Sequence, residues 1–207
     1  MRRLRDIRRR ICGDERGATI VEFAIVCGPM LVLLLGGLEL GYNSYVRATM
    51  QGALNDAART AAVESPVITA SGSTIEEQVE NLIKDTVRHV APTAKITVTQ
   101  QSYFDFSEIG NPEKLMTDHN GNGQFDAADG DCWEDANGNG NYDTDAGKAG
   151  MGGADDVVLY TAKISAPRIV PIHHFLPFAG PTIDYTLETA VRNQPYDQQA
   201  TAAVVCA

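Results

Sequence analysis

An apolar run from Ala18 to about Leu38 constrains the fold of this 207-residue chain more than any other feature. Apart from Thr19 and Glu22, its residues are apolar or small. A helix needs roughly 20 such residues to cross the hydrocarbon core of a bilayer. A secretory signal peptide would have a shorter apolar core, of roughly 7–15 residues, followed by a small-residue cleavage site that is not seen here. The run therefore predicts one membrane-spanning helix in contact with membrane lipid.

Charge is distributed unevenly on the two sides of this run. Residues 1–17 hold seven arginines and three acidic residues, whereas the whole chain has a net charge of −10. Basic residues beside a span stay in the cytoplasm. We therefore expect a single-pass protein of the inner (cytoplasmic) membrane, with a cytoplasmic N-terminus and a periplasmic or extracellular body. The acidic body argues against nucleic acid as a partner, because phosphate binding requires a basic face, and it suits cation binding.

Beyond the membrane, the periodicity of apolar residues predicts an α+β fold. The first helix is predicted to continue to residue 63, with a bend at Pro29. A second, amphipathic helix follows, and Thr74 with Glu77 has the spacing of a capping box at its start. Alternating residues predict strands at 95–106, 156–169 and 182–192. The order of these elements gives a three-stranded antiparallel sheet packed on the helices.

This pattern divides the chain into three parts and one insertion. The parts are a leader at 1–17, a transmembrane and spine helix at 18–63, and an extracytoplasmic domain at 64–207. The insertion, residues 107–155, separates the first two predicted strands. Loops of that length without a structure of their own are uncommon, so the insertion is expected to carry a function.

The insertion contains two Asp/Asn/Gly-rich repeats, 17 residues apart, that predict calcium as a cofactor. EF-hand loops place oxygen ligands at alternate positions, glycine at position 6 and a carboxylate at position 12, and the first repeat resembles the dockerin-type version of this loop. The candidate ligands are Asp118, Asn120, Asn122, Gln124, Asp126 and Asp129 in the first repeat, and Asp135, Asn137, Asn139, Asn141, Asp143 and Asp145 in the second. Position 12 of the second repeat is Ala146, so Asp145 or Asp131 would have to complete its shell. The alternative is a flexible linker.

Two cysteines, Cys132 and Cys206, lie in the predicted exported part. An oxidising compartment would favour a disulfide between them, although sequence alone leaves two free thiols as the alternative.

The two consecutive histidines, His173 and His174, have no Ser, Cys or Asp partner at a recognisable catalytic spacing, and no nucleotide-binding or hydrolase motif is present. The sequence therefore predicts that the protein is not an enzyme.

Residues 16–23 read R-G-A-T-I-V-E-F, which resembles the processing site of type IV prepilins. With the following A-I, the segment resembles TadE-like minor pilins, or pseudopilins, of the tight-adherence (Tad/Flp) pilus system. The resemblance covers about residues 16–62. It implies cleavage between Gly17 and Ala18 by a prepilin peptidase, and a role for Glu22 and Phe23 in assembly with other pilin subunits and the pilus assembly platform. A carboxylate in lipid needs a compensating positive partner, and the amine of a cleaved N-terminus would supply one.

Together these features predict a minor pilin or pseudopilin for assembly of a Tad-type surface adhesion pilus, stabilised by calcium and located in the membrane or in the pilus itself. One alternative is a membrane-anchored, calcium-dependent adhesin that does not polymerise. Another is a minor pseudopilin of a secretion system. Glu39, near the outer end of the span, is expected to reach the lipid headgroups.

Overall fold

The structure is a computed structural model that describes residues 16–171, 173 and 179–207. These residues form two α-helices and seven β-strands. The helices are α1 (Arg16–Ala61) and α2 (Ile75–Arg88), and the strands are β1 (Lys95–Tyr103), β2 (Leu115–Thr117), β3 (Cys132–Asp135), β4 (Lys148–Ala149), β5 (Val157–Pro167), β6 (Thr182–Arg192) and β7 (Ala203–Cys206). Residues 1–15 of the predicted leader and His174 lie outside the described residues. The α+β class is confirmed.

Helix α1 has two halves with different surroundings. It runs without a break through Pro29, and its N-terminal half presents apolar side chains that no other part of the described structure covers, such as Val32 and Leu33 at 71% and 76% exposure. In the C-terminal half, Met50 and Leu54 are fully buried. The helix therefore leaves the apolar half bare and anchors its other half in the domain.

Helix α2 begins where its capping residues predict. The Thr74 hydroxyl accepts a hydrogen bond from the Glu77 backbone N–H at 3.2 Å. In return, the Glu77 carboxylate accepts from the backbone N–H of Ser73, at 2.7 Å, instead of that of Thr74. These bonds satisfy N–H groups that the first helical turn cannot pair internally.

The prediction of a single three-stranded sheet was wrong in the number of strands and in the number of sheets. The three predicted strands pair antiparallel, with β5 between β1 and β6, but the two-residue strand β4 adds a fourth member in the order β4-β1-β5-β6. A second sheet has the order β2-β3-β7. Its strands have three or four residues each, which is too short for alternation to be recognised in the sequence.

The core lies between the larger sheet and the two helices. Alternate residues of β5 face it, because successive side chains of a strand point to opposite sides of the sheet. The buried members from β5 are Val158, Tyr160, Ala162 and Ile164, and they pack with Met50, Leu54, Ala57, Ala58 and Ala61 of α1 and with Val79, Ile83 and Val87 of α2. Small side chains at three of the α1 positions allow close packing of the backbone. The domain is thus built directly onto the outer half of the anchor helix.

Candidate functional site

Glu22 is exposed on the bare half of α1. Its neighbours are apolar, and Phe23 has 66% of its surface exposed. In the part of the chain that the structure describes, Glu22 forms no ion pair. The predicted cleavage bond between Gly17 and Ala18 lies within the first turn of the helix. A carboxylate in this position is costly in lipid and is available to a positive group supplied by another molecule.

The first calcium-like repeat folds into a compact loop around the carboxylate of Asp118. This carboxylate accepts backbone hydrogen bonds from Gly121 and Gly123, both at 2.7 Å. Gly123, at position 6, has a φ of 74°, a left-handed conformation that glycine adopts without a steric penalty. The side-chain amide of Asn120 donates to the carboxylate of Asp129. The residues at positions 1, 3 and 12 are therefore on the inner side of one turn.

The second repeat has the same backbone geometry. The carboxylate of Asp135 accepts from the backbone N–H groups of Gly138 and Gly140, at 2.8 and 2.9 Å, and Gly140 at position 6 has a φ of 76°. Asn137 and Asn139 both donate side-chain hydrogen bonds to Asp143, at 2.7 and 2.6 Å. The two repeats are thus structural as well as sequence repeats.

Each loop is closed by one buried carboxylate that lies outside its first twelve positions. Asp131, with no exposed surface, accepts from the backbone N–H groups at positions 2 and 9 of the first loop, His119 and Asp126, both at 2.9 Å. Glu113, 2% exposed, accepts from the same two positions of the second loop, Ala136 at 2.9 Å and Asp143 at 3.0 Å. Sequence reasoning missed Glu113, because it precedes both repeats.

The two residues proposed to complete the second loop both accept hydrogen bonds from groups outside it. Asp131 closes the first loop instead, since both of its oxygens accept backbone donors there. Asp145 accepts from the backbone N–H of Gly147 at 3.1 Å and from the hydroxyl of Tyr103, whose pKa is raised to about 12 by burial and, next in importance, by this hydrogen bond. Position 11 of the second repeat therefore joins the loop to β1.

Three aromatic rings hold the two loops together. Phe125 and Tyr142, each at position 8 of its loop, stack with their ring centroids 4.3 Å apart. Trp133 of β3 meets both rings edge-on, at centroid distances of 5.0 Å from Phe125 and 6.2 Å from Tyr142. The residues at position 8 of the two loops thus pack against each other, so the loops form a pair. The identical spacing of the two aromatic residues within the repeats was a signal that sequence reasoning did not use.

A disulfide ties the pair to the C-terminus of the chain. Cys132 of β3 and Cys206 of β7 face each other in the antiparallel register and are bonded through their sulfur atoms. Cys27, in the bare half of α1, is a free thiol. Both cysteines lie in the smaller sheet, so the disulfide links β3, which lies between the two loops in the chain, to the C-terminal strand β7.

One carboxylate in each loop is held in its charged form. The pKa of Asp118 is lowered chiefly by the backbone N–H of Gly123, and that of Asp143 by the side-chain amides of Asn137 and then Asn139. Among the described residues, no three His, Cys, Asp or Glu side chains converge as a metal-binding group. The candidate donors are instead a mixture of carboxylate and Asn carbonyl oxygens. Each such oxygen keeps a second lone pair after accepting one hydrogen bond, so this donor set fits a hard, oxygen-seeking cation.

Together, the fold and these sites define a class: an α+β domain carried on one helix that is long and apolar enough to cross a membrane. The model of the family described as TadE-like protein matches residues 17–59, all within α1. This match confirms the predicted resemblance and is consistent with a TadE-like pilin of the Tad system. Comparison with the curated proteins gives no match. No solved structure matches the chain either.

Proposed function

We propose that this protein is a minor pilin or assembly pseudopilin of a Tad-type surface adhesion pilus, cleaved between Gly17 and Ala18 and stabilised by calcium. The observation that carries the proposal is the family match over α1, with Glu22 exposed on its bare apolar half. After cleavage, Glu22 would be the fifth residue of the mature chain. Its charge would then be near the new N-terminal amine of its own or a neighbouring subunit, and near the positive end of the helix dipole.

Replacing Glu22 tests the assembly role. Glu22→Gln removes the charge and keeps the shape, and Glu64→Gln makes the same change at an exposed residue beyond α1. We expect Glu22→Gln to reach the membrane in normal amounts, as judged by resistance to carbonate extraction, and to abolish or strongly reduce surface pili. Glu64→Gln should leave both measurements unchanged. Normal piliation by Glu22→Gln would contradict the proposal.

The processing step has a direct test. N-terminal sequencing of the membrane-bound protein should recover a chain that begins at Ala18, and a Gly17→Val variant should accumulate with Met1 intact. Recovery of Met1 from the unmodified protein in a piliated cell would remove the peptidase from the proposal.

Calcium is proposed to bind the paired loops, because the two turns repeat the same oxygen positions and each has one carboxylate whose pKa is lowered, Asp118 or Asp143. Calorimetry of the full chain in detergent micelles should show calcium binding that is lost in the Asp118→Ala, Asp135→Ala double variant. Extracellular calcium modules have dissociation constants of roughly 10⁻⁴–10⁻³ M. The absence of heat at about 10 mM calcium, together with an unchanged unfolding midpoint, would rule out the site.

A second candidate function is a calcium-dependent adhesin that stays in the membrane without polymerising. The observation that favours it is that the family match ends at residue 59, before the paired loops begin. The Glu22→Gln variant distinguishes the two functions. Normal piliation with adhesion still dependent on Asp118 and Asp135 would favour the adhesin.

A further inference from the structure

Glu39 is far less exposed to solvent than the residues beside it on α1. Its exposure is 4%, whereas that of Leu38 is 56% and that of Leu40 is 70%. It was expected to reach lipid headgroups, but the structure places its carboxylate under another part of the chain. A buried carboxylate needs a charged or hydrogen-bonding partner. The segment that covers Glu39 supplies both.

The covering segment is the connector between β5 and β6. The guanidinium of Arg168 lies 3.4 Å from one carboxylate oxygen of Glu39, and the backbone N–H of Val170 donates to the other oxygen at 3.1 Å. Arg168 also donates from Nε to the carbonyl of Gly180 at 2.8 Å, and its backbone N–H donates to Pro181 at 3.2 Å. Arg168 therefore holds the two ends of the connector together and attaches them to α1 at Glu39.

The position of Glu39 along α1 places this attachment relative to a membrane. A helix rises 1.5 Å per residue, so a hydrocarbon core about 30 Å thick takes about 20 residues. Counted from Thr19, the first residue of the candidate membrane span, the core ends near Leu38. Glu39 and the two connector residues that contact it, Arg168 and Val170, would therefore lie at the outer boundary between hydrocarbon and headgroups.

The composition of the connector suits that boundary. The described residues of the connector, 168–171, 173 and 179–181, contain no Asp or Glu, in a chain whose net charge is −10. Ile169, between the two residues that contact Glu39, is 48% exposed, although it lies next to a covered ion pair. An apolar side chain at this depth gains from contact with lipid.

We propose that the part of the β5–β6 connector next to Glu39, residues 168–170, is a second membrane-contacting element, seated in the outer headgroup region by the Glu39–Arg168 pair. Its partner is the surface of the bilayer that α1 crosses, and the proposal rests on α1 being the membrane anchor. The contact is continuous with the lipid-facing surface of α1. It would fix the tilt of the domain relative to the membrane, because the domain would then meet the bilayer at two points instead of one.

Spin labels on the full chain in lipid nanodiscs test this proposal. In a Cys12→Ala, Cys27→Ala background, which keeps the Cys132–Cys206 disulfide, single cysteines are introduced as Ile169→Cys, Leu33→Cys and Val204→Cys. Leu33 lies in the apolar half of α1, and Val204 is exposed on β7. Collision rates with oxygen, which enters lipid, and with a water-soluble nickel complex report the depth of each label.

We expect the oxygen-to-nickel ratio to be highest at position 33, intermediate at position 169 and lowest at position 204. Equal ratios at positions 169 and 204, or protection of position 169 from both reagents, would overturn the connector contact while leaving the anchor intact. A low ratio at position 33 as well would mean that α1 does not cross the membrane. The proposed function would then fail together with the inference.

The role of the ion pair is tested by adding Glu39→Gln, with Glu64→Gln as the matched control. Glu39→Gln should lower the ratio at position 169 towards that at position 204 and leave position 33 unchanged, whereas the control should change neither. An unchanged ratio at position 169 would overturn the assignment of Glu39 as the residue that seats the connector.

Discussion

The buried carboxylate of Asp131 provides the sharpest quantitative prediction for the paired loops. Asp131→Ala removes the acceptor of two backbone N–H groups, those of His119 and Asp126, both at 2.9 Å. A hydrogen bond to a charged group contributes about 1.5–3 kcal/mol, so the loss of both should cost about 3–6 kcal/mol. This is a large share of the roughly 5–15 kcal/mol that stabilises a typical domain.

Urea unfolding of the full chain in detergent micelles, without calcium, measures this loss. Trp133 is the single tryptophan and packs edge-on against the stacked rings of the two loops, so its fluorescence reports their unfolding. Asp131→Asn, which keeps one acceptor oxygen, should give an intermediate loss.

The matched control is Asp126→Ala. Asp126 donates its backbone N–H to Asp131, but its own side chain is exposed, so the loss should stay within about 0.5 kcal/mol. Glu113→Ala should destabilise the second loop by an amount similar to that of Asp131→Ala in the first. Equal unfolding midpoints for Asp131→Ala and Asp126→Ala would refute the assignment of Asp131 as the residue that closes the loop.

Three further predictions concern the domain as a whole. Burial raises the pKa of Tyr103 and of Tyr160 to about 12. Their neutral forms therefore stabilise the fold fully below about pH 10, and that contribution should be lost as the pH rises towards 12. An absorbance titration should show two tyrosines that ionise later than the others. Leu54→Ala, at a fully buried position between α1 and the sheet, should cost about 2–5 kcal/mol in urea unfolding, and a loss below 1 kcal/mol (about the size of a surface change) would contradict the packing. Reducing the disulfide between Cys132 and Cys206, which are 74 residues apart, should cost about 4 kcal/mol by the chain-entropy estimate, and an unchanged midpoint in reductant would contradict that estimate.

Long, regular elements of this fold were predictable from the sequence. The strand predicted at 182–192 has those bounds in the structure, as β6 (Thr182–Arg192). Thr74, predicted to cap the second helix, is its N-cap, and the helix starts at the next residue, Ile75. In both cases an apolar pattern extends over ten or more residues, and the start of the helix has a capping residue. Local signals of that length leave few alternative conformations.

The candidate site was predictable in part. The repeated glycines at position 6, Gly123 and Gly140, indicated two sharp turns, and both have the expected positive φ. The two carboxylates that close the loops could not be assigned from spacing. Glu113 reaches a loop that begins 22 residues later, and no local rule connects an acidic residue to backbone donors at that separation.

The sequence by itself determined the elements of this protein: an apolar helix with one carboxylate near its start, an amphipathic helix, three long strands and two turns rich in oxygen donors. Periodicity and turn chemistry act within a few residues, so these features are encoded locally. Only the tertiary structure decided which distant groups meet. It pairs Glu39 with Arg168, 129 residues away, and it brings Phe125 against Tyr142. Contacts of this kind depend on how the elements pack to bury apolar surface and to satisfy buried charge, and that packing is a property of the whole chain.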